Sequence, residues 1–361
     1  MKPFFTILLE SYRGLKSQIL FWITLGLSFL VALIFLSIGF DEKGVTFVGF
    51  NIIEEDMLSK SSPIVGVLYK WMFSFFVAGI WLTWVAIILA LVSCAPIFPN
   101  AMTEGGAGML MTKGVSRLEI FIAKFIGSLF FVLFQVGLFV AIVFLAFRWR
   151  LGEWHPEIFW YVPAVLLVFV SLYSFLVLIA VKTRSVLAAI LLTMLVWAIS
   201  GTLGFVEGVL RAQVMVEDYM DSIPTEEVVV KKETEGEETE DQPVEEDVSE
   251  EEPVQETETP QRITSTETVK RWHGIIKVVH SFLPKNGPIM EEAGRKLMMS
   301  DIENMSFDLN TKEGRESAEE LEVQRKAMDN QNSSFYTIWS SVLFAGVMLS
   351  LAALSFCRRD Y

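Results

Sequence analysis

The sequence predicts an all-α polytopic membrane protein with six transmembrane helices, and three observations carry that expectation. Apolar residues make up 52% of the chain, with 29 Phe and 10 Trp, above the level of ordinary soluble domains. Six stretches reach the length of about 20 residues that a helix needs to cross a bilayer: Leu20–Phe40, Trp71–Ala95, Phe125–Phe147, Ile158–Val181, Ser185–Phe205 and Phe335–Phe356. None of these windows contains Asp, Glu, Lys, Arg or His. A cleaved secretory signal does not fit the first of them, because its apolar part is too long and no small-residue cleavage site follows.

Residues 1–18 precede the first window and are only half apolar. Phe4, Ile7, Leu8, Tyr12 and Leu15 recur at steps of three or four while Glu10, Arg13 and Lys16 take the other face, the pattern of a helix lying in the membrane interface. Arg13 and Lys16 are its expected headgroup anchors, with Lys124 in the same role further on. Residues 41–70 are expected to form a modest outer loop, with Glu54, Glu55 and Asp56 ahead of a turn at Ser61–Pro63. After the third window Trp149 and Trp154 sit at the depth where tryptophan is common, and only Lys182, Thr183 and Arg184 separate windows four and five.

The segment from 207 to 334 interrupts the apolar pattern. Its acidity is concentrated: Glu226 to Thr259 holds 16 acids and two lysines, a net of −14, which equals the formal charge of the whole chain. The remainder is therefore neutral, and net charge gives no reason to expect a nucleic-acid partner. Residues 226–265 have too few large apolar groups to offset chain entropy and are expected to be disordered. Flanking them, Trp272, Ile275, Ile276, Val279 and Phe282 mark one face of a helix before Pro284, and Ser317–Asn330 reads as a charged helix. Residues 335–361 then give the last span and a short tail.

Ten Lys or Arg lie in the termini and the connections on their side, against five in the two short loops opposite. That bias places both termini, and the connection of about residues 99–124, in the cytoplasm. The 207–334 insertion is then extracytoplasmic.

Several function classes lose support here. A proton-coupled pump or an intramembrane hydrolase needs ionisable groups at membrane depth, and the six windows have none. The hydroxyls within them, and Gln135, are expected to bond across helix contacts. His155, His273 and His280 lack nearby Cys or convergent carboxylates, so no metal site is expected. Cys94 and Cys357 stand at cytoplasmic window ends and indicate no disulfide framework. There is no Gly-Lys dipeptide, hence no phosphate-binding loop. The chain is expected not to be an enzyme and to hold no cofactor; any ATP is used by another polypeptide.

Between windows two and three the chain reads EGGAGMLMTKGVSRLEIFIAK, Glu104 to Lys124. The order Glu104-Gly105, then Met109 through Arg117, then Lys124, resembles the connection between the second and third spans of type-2 ATP-binding-cassette exporter permeases. The likeness extends to the N-terminal LLESYRGLKSQ, the six-span count and VHSFLP before the last span. It departs where Gly106-Ala107 stand for the usual Thr-Leu, and where Gly114 stands for Pro. The resemblance implies a permease half that pairs with a second copy or a homologue and docks separate ATPase subunits. Glu104, Gly105, Met109, Leu110, Lys113 and Arg117 would then form the ATPase-coupling contact. A non-transporting membrane anchor or sensor, whose acidic outer segment recruits partners, is the alternative.

Overall fold

The structure is a computed structural model, and it describes residue 14 and residues 19–41, 44–48, 50–54, 63–102, 116–152, 154–222, 270–276, 278–280, 283–304 and 334–358. The expected interfacial helix, the acidic stretch and the 317–330 helix lie outside these residues, apart from Gly14. The described chain divides into two compact units, residues 1–201 with 281–361, and residues 202–280.

Six helices are long and apolar enough to cross a membrane: Ile19–Ser37, Leu68–Ala101, Arg117–Leu151, Pro156–Thr183, Val186–Leu210 and Thr337–Cys357, numbered spans 1 to 6. This is a multi-pass membrane protein. The six are the windows read from the sequence, lengthened mainly where polar residues continue a helix. Span 3 begins at Arg117 rather than Phe125 because Ser116 caps it: the Ser116 hydroxyl accepts from the Glu119 N–H, and the Glu119 carboxylate accepts from the Ser116 N–H, each at 3.2 Å. The same lengthening brings Lys70 into span 2 and Glu207 into span 5, both buried. The uncharged windows are thus the cores of helices that do carry ionisable groups.

Span 4 is the central helix of the larger unit. In its most apolar stretch 72% of the residues are buried, against 22% in spans 5 and 6 and 28% in span 1. Small side chains at Ala164, Ser171, Ser174 and Ala180 let neighbours approach closely, and it packs against spans 2, 3 and 6. The hydroxyls of Ser171 and Ser174 donate to the carbonyls of Leu167 and Val170, so neither is left unsatisfied in an apolar surround.

Span 2 is not a uniform helix. Pro63–Met72 is α-helical, Phe73–Ala86 is a π-helix and Ile87–Cys94 is α-helical again; a further short helix, Ile97–Ala101, follows a break at Ala95-Pro96. In the π segment Phe73, Val77, Leu82 and Ala86 are buried at steps of four to five, and the Thr83 hydroxyl donates to the Ala78 carbonyl five residues back. A π stretch of this length is unusual, since such geometry is mostly confined to single turns.

Span 3 acts as a strut with an arginine at each end. Arg150 donates through Nε and Nη2 to the Leu36 carbonyl in the last turn of span 1, and Arg117 donates to the Cys357 carbonyl at the end of span 6 at 3.1 Å. Each guanidinium satisfies a carbonyl that the helix end leaves without an intrahelical donor.

The connection after span 1 departs from the loop expected there. Ile38–Asp41, Gly44–Phe47 and Phe50–Glu54 form a three-stranded antiparallel sheet in the order β1-β2-β3. Ile38 opposes Phe47 and Gly44 opposes Glu54, with a shift in register between Val45 and Thr46. Strands this short give little periodic signal. Gly39 leaves room for the Arg150 guanidinium: a Cβ there would displace it and lie 3.0 Å from Thr46 Oγ1.

A helix at Asn286–Asn304 packs on the π segment of span 2, the start of span 4 and span 6. Its buried residues Ile289, Ala293 and Leu297 recur every four positions. The Lys285 N–H donates to Ser341 Oγ, and Ser200 Oγ donates to the Pro284 carbonyl, which fixes the approach to this helix.

In the second unit, residues 270–276 and 278–280 are helical as expected, but Trp272, Ile275 and Val279 are exposed among the described residues. His280 is the buried one. Its Nδ1 lies 2.5 Å from Glu207 Oε2.

Candidate functional site

The sequence singled out the connection between spans 2 and 3. Glu104, Gly105, Met109, Leu110 and Lys113 lie outside the described residues, as do Arg13 and Lys16 at the N-terminus. Arg117 and Lys124 are described, and both belong to the first turns of span 3 rather than to a free loop. What the structure defines is the packing of the elements that flank residues 103–115, termed the platform.

That platform is aromatic. On one side of the connection Phe98 projects from the short Ile97–Ala101 helix, and on the other Phe121 projects from span 3; their rings meet at 5.0 Å. Phe356 of span 6 touches both, at 6.2 and 5.6 Å. Tyr173 of span 4 lies 6.5 Å from Phe98, 5.4 Å from Phe125 and 4.9 Å from Phe169. Phe98, Phe121 and Tyr173 are at most 1% exposed. Such rings pack at interior density, where a displacement of one is felt by its neighbours.

Two polar contacts complete the platform. Tyr173 OH and Ser128 Oγ are 2.8 Å apart, and Ser128 Oγ also donates to the Lys124 carbonyl at 3.0 Å. Arg117 spans from the foot of the connection to the Cys357 carbonyl. A charge-assisted bond to a helix C-terminus holds the end of span 6 beside the start of span 3. Both ends of the 103–115 connection are therefore closed against each other and tied to spans 4 and 6.

Among the described residues of this arrangement no hydroxyl or thiol is hydrogen-bonded to a carboxylate or imidazole base. Among the described residues no three of His, Cys, Asp or Glu gather where they could hold a metal ion. What the described residues form is a packed junction, in which Met102 and Ser116, flanking residues 103–115, stand on elements joined to spans 4 and 6 by rings and one guanidinium.

Sequence reasoning found Arg117 and assigned it to a partner contact without its bond to span 6. It missed Phe98, Phe121, Tyr173 and Phe356, which do not stand out among 29 phenylalanines and seven tyrosines. The Ser116-x-x-Glu119 spacing was an available sign that the helix begins at Arg117. Gln135, expected to bond across a helix contact, instead leaves its Oε1 buried without a partner. A scan against protein-family models, and searches among curated proteins and solved structures, found no match.

Proposed function

We propose that this chain is the membrane-spanning permease subunit of an ATP-driven exporter of the type-2 ATP-binding-cassette class. It pairs with a second copy or a homologue to form the translocation path, and separate ATPase subunits hydrolyse ATP. Both termini lie in the cytoplasm of a bacterial cell, with the spans in its cytoplasmic membrane. The observation that carries this reading is the Glu104–Lys124 series between spans 2 and 3.

The platform beneath that series supports it. In this reading Met109 and Leu110 offer adaptable apolar contacts to an ATPase cleft and Glu104 and Lys113 pair with its charges. Arg117 and the rings of Phe98 and Phe121 pass the motion to spans 4 and 6, so Arg117 is a positioning residue.

Purification in mild detergent from the native cell tests the assignment. The expected result is co-purification of an ATPase subunit, with hydrolysis reduced about tenfold by Glu104→Ala or Lys113→Ala, the scale of losing an interface hot spot. Recovery of no ATPase, together with hydrolysis indifferent to both substitutions, overturns it. The run of 16 acids favours the recruiting alternative. Deletion of residues 226–262 separates the two, since an exporter keeps partner binding and most transport whereas a recruiter loses its function.

A further inference from the structure

The Asn286–Asn304 helix leaves a groove of about 200 Å³ between itself and the starts of spans 4 and 6. Its wall is apolar, formed by Ala164 and Leu167 of span 4, Ile289 and Ala293 of the helix, and Ile338 of span 6. Thr337, Glu292 and Lys296 complete the lining, so the apolar stretch has the room and the chemistry for part of an alkyl chain with polar groups at one end.

Its position limits the occupant further. The wall runs along span 4 from Trp160 to Leu167, about 10 Å of helix rise, starting where the apolar helix begins. Trp160 is half exposed, as tryptophan is at a membrane boundary. The groove therefore leads from headgroup depth into the hydrocarbon layer. Pro163 and Ile338 on its rim are exposed, which leaves it open sideways to lipid.

The mouth carries charges of both signs. The Glu292 carboxylate accepts from Arg295 Nη2 through both oxygens at 2.8 Å, so these two charges cancel. Lys296 remains, and its Nζ stands 3.4 Å over the Trp160 ring. That stacking holds an ammonium at the level of lipid phosphates without neutralising it.

We propose that this groove is a binding site for one membrane phospholipid with an anionic headgroup, an acyl chain lying between Ala164, Ala293 and Ile338 and the phosphate on Lys296. The site needs only the fold of this chain and stands apart from the exporter reading.

Native mass spectrometry of the delipidated full-length chain tests it, with dioleoyl phosphatidylglycerol, dioleoyl phosphatidylcholine and inorganic phosphate as probes. One phosphatidylglycerol should be retained about fivefold more tightly than phosphatidylcholine, the scale of one lysine at an anionic surface. Lys296→Gln, at the half-buried mouth, should abolish that preference. Ala293→Leu, which fills the groove, should remove the retained lipid of either kind. Lys182→Gln, a cation at the other end of span 4, should leave the preference intact. Equal retention of both lipids by the unaltered chain, a preference that survives Lys296→Gln or is lost equally with Lys182→Gln, or displacement of the lipid by inorganic phosphate overturns the proposal.

Discussion

Spans 4 and 5 are near neighbours in sequence and similar in composition, yet their surroundings are opposite. Both are strongly apolar, with mean hydropathy of 2.8 and 2.2 over their most apolar windows, but the first is 72% buried in protein and the second 22%. Span 4 is held by close packing: Val168, Phe169, Leu176 and Val177 have no measurable exposure. Span 5 within the larger unit buries a narrower strip, Ala189, Thr193, Trp197 and Ser200, with Trp197 stacked on Trp84 at 4.7 Å and Ser200 donating to the Pro284 carbonyl. The difference teaches that hydropathy marks a helix as able to enter a membrane and says nothing about whether its faces meet protein or lipid. Lipid tails are as apolar as leucine, so contact area and small residues decide which helix becomes central.

The largest effect that tests this contrast is expected in span 4. Leu176→Ala should cost about 2–5 kcal/mol, the range for emptying a packed site, read as a fall in thermal unfolding temperature in detergent. A loss below about 0.5 kcal/mol, the level of an uninvolved surface position, would place span 4 outside the core and break the comparison.

An intermediate effect is expected where a polar contact adds to the burial of an edge helix, as Arg150 does for span 1. Gly39→Ala forces the Arg150 guanidinium away from the Leu36 carbonyl. The expected cost is about 1.5–3 kcal/mol, the worth of a hydrogen bond to a charged group. The check is that Arg150→Gln removes most of the same stability and that the double variant is no worse than either alone, as two changes acting on one contact require.

The smallest effect is expected on the open face of span 5. Leu191→Ala should shift the stability of the isolated subunit by no more than about 0.5 kcal/mol. Measured across a dilution series, the same substitution sharpens the contrast: if this face mates with a second copy, it weakens association while leaving the dilute subunit unchanged. A fall in the dilute subunit's own stability would show instead that span 5 packs within its own chain.

How far the sequence could be read follows the same division. Windows of apolar residues located all six spans because crossing hydrocarbon demands backbone groups satisfied within the helix and side chains compatible with lipid. Their ends were misjudged where a helix continues through polar residues, as at Arg117, Lys70 and Glu207. The Asn286–Asn304 helix was passed over because Gly287 and Pro288 at its start and the charged Glu291, Glu292, Arg295 and Lys296 mask the spacing of Ile289, Ala293 and Leu297. The π segment left no local sign, since the Thr83-to-Ala78 bond becomes available only once the helix has widened. At the candidate site the Ser-x-x-Glu cap was legible, whereas the ring contacts of Phe98, Phe121, Tyr173 and Phe356 join four separate stretches of chain.

The sequence by itself determined that this is a multi-pass membrane protein with six apolar helices, because that property is set by local composition and length. Only the tertiary structure decided that span 4 is the centre and that span 3 clamps spans 1 and 6 through Arg150 and Arg117. It also decided that the 286–304 helix builds an apolar groove with a lysine at its mouth. Each of these depends on which faces of equally apolar helices meet, and the bilayer accepts every such face alike.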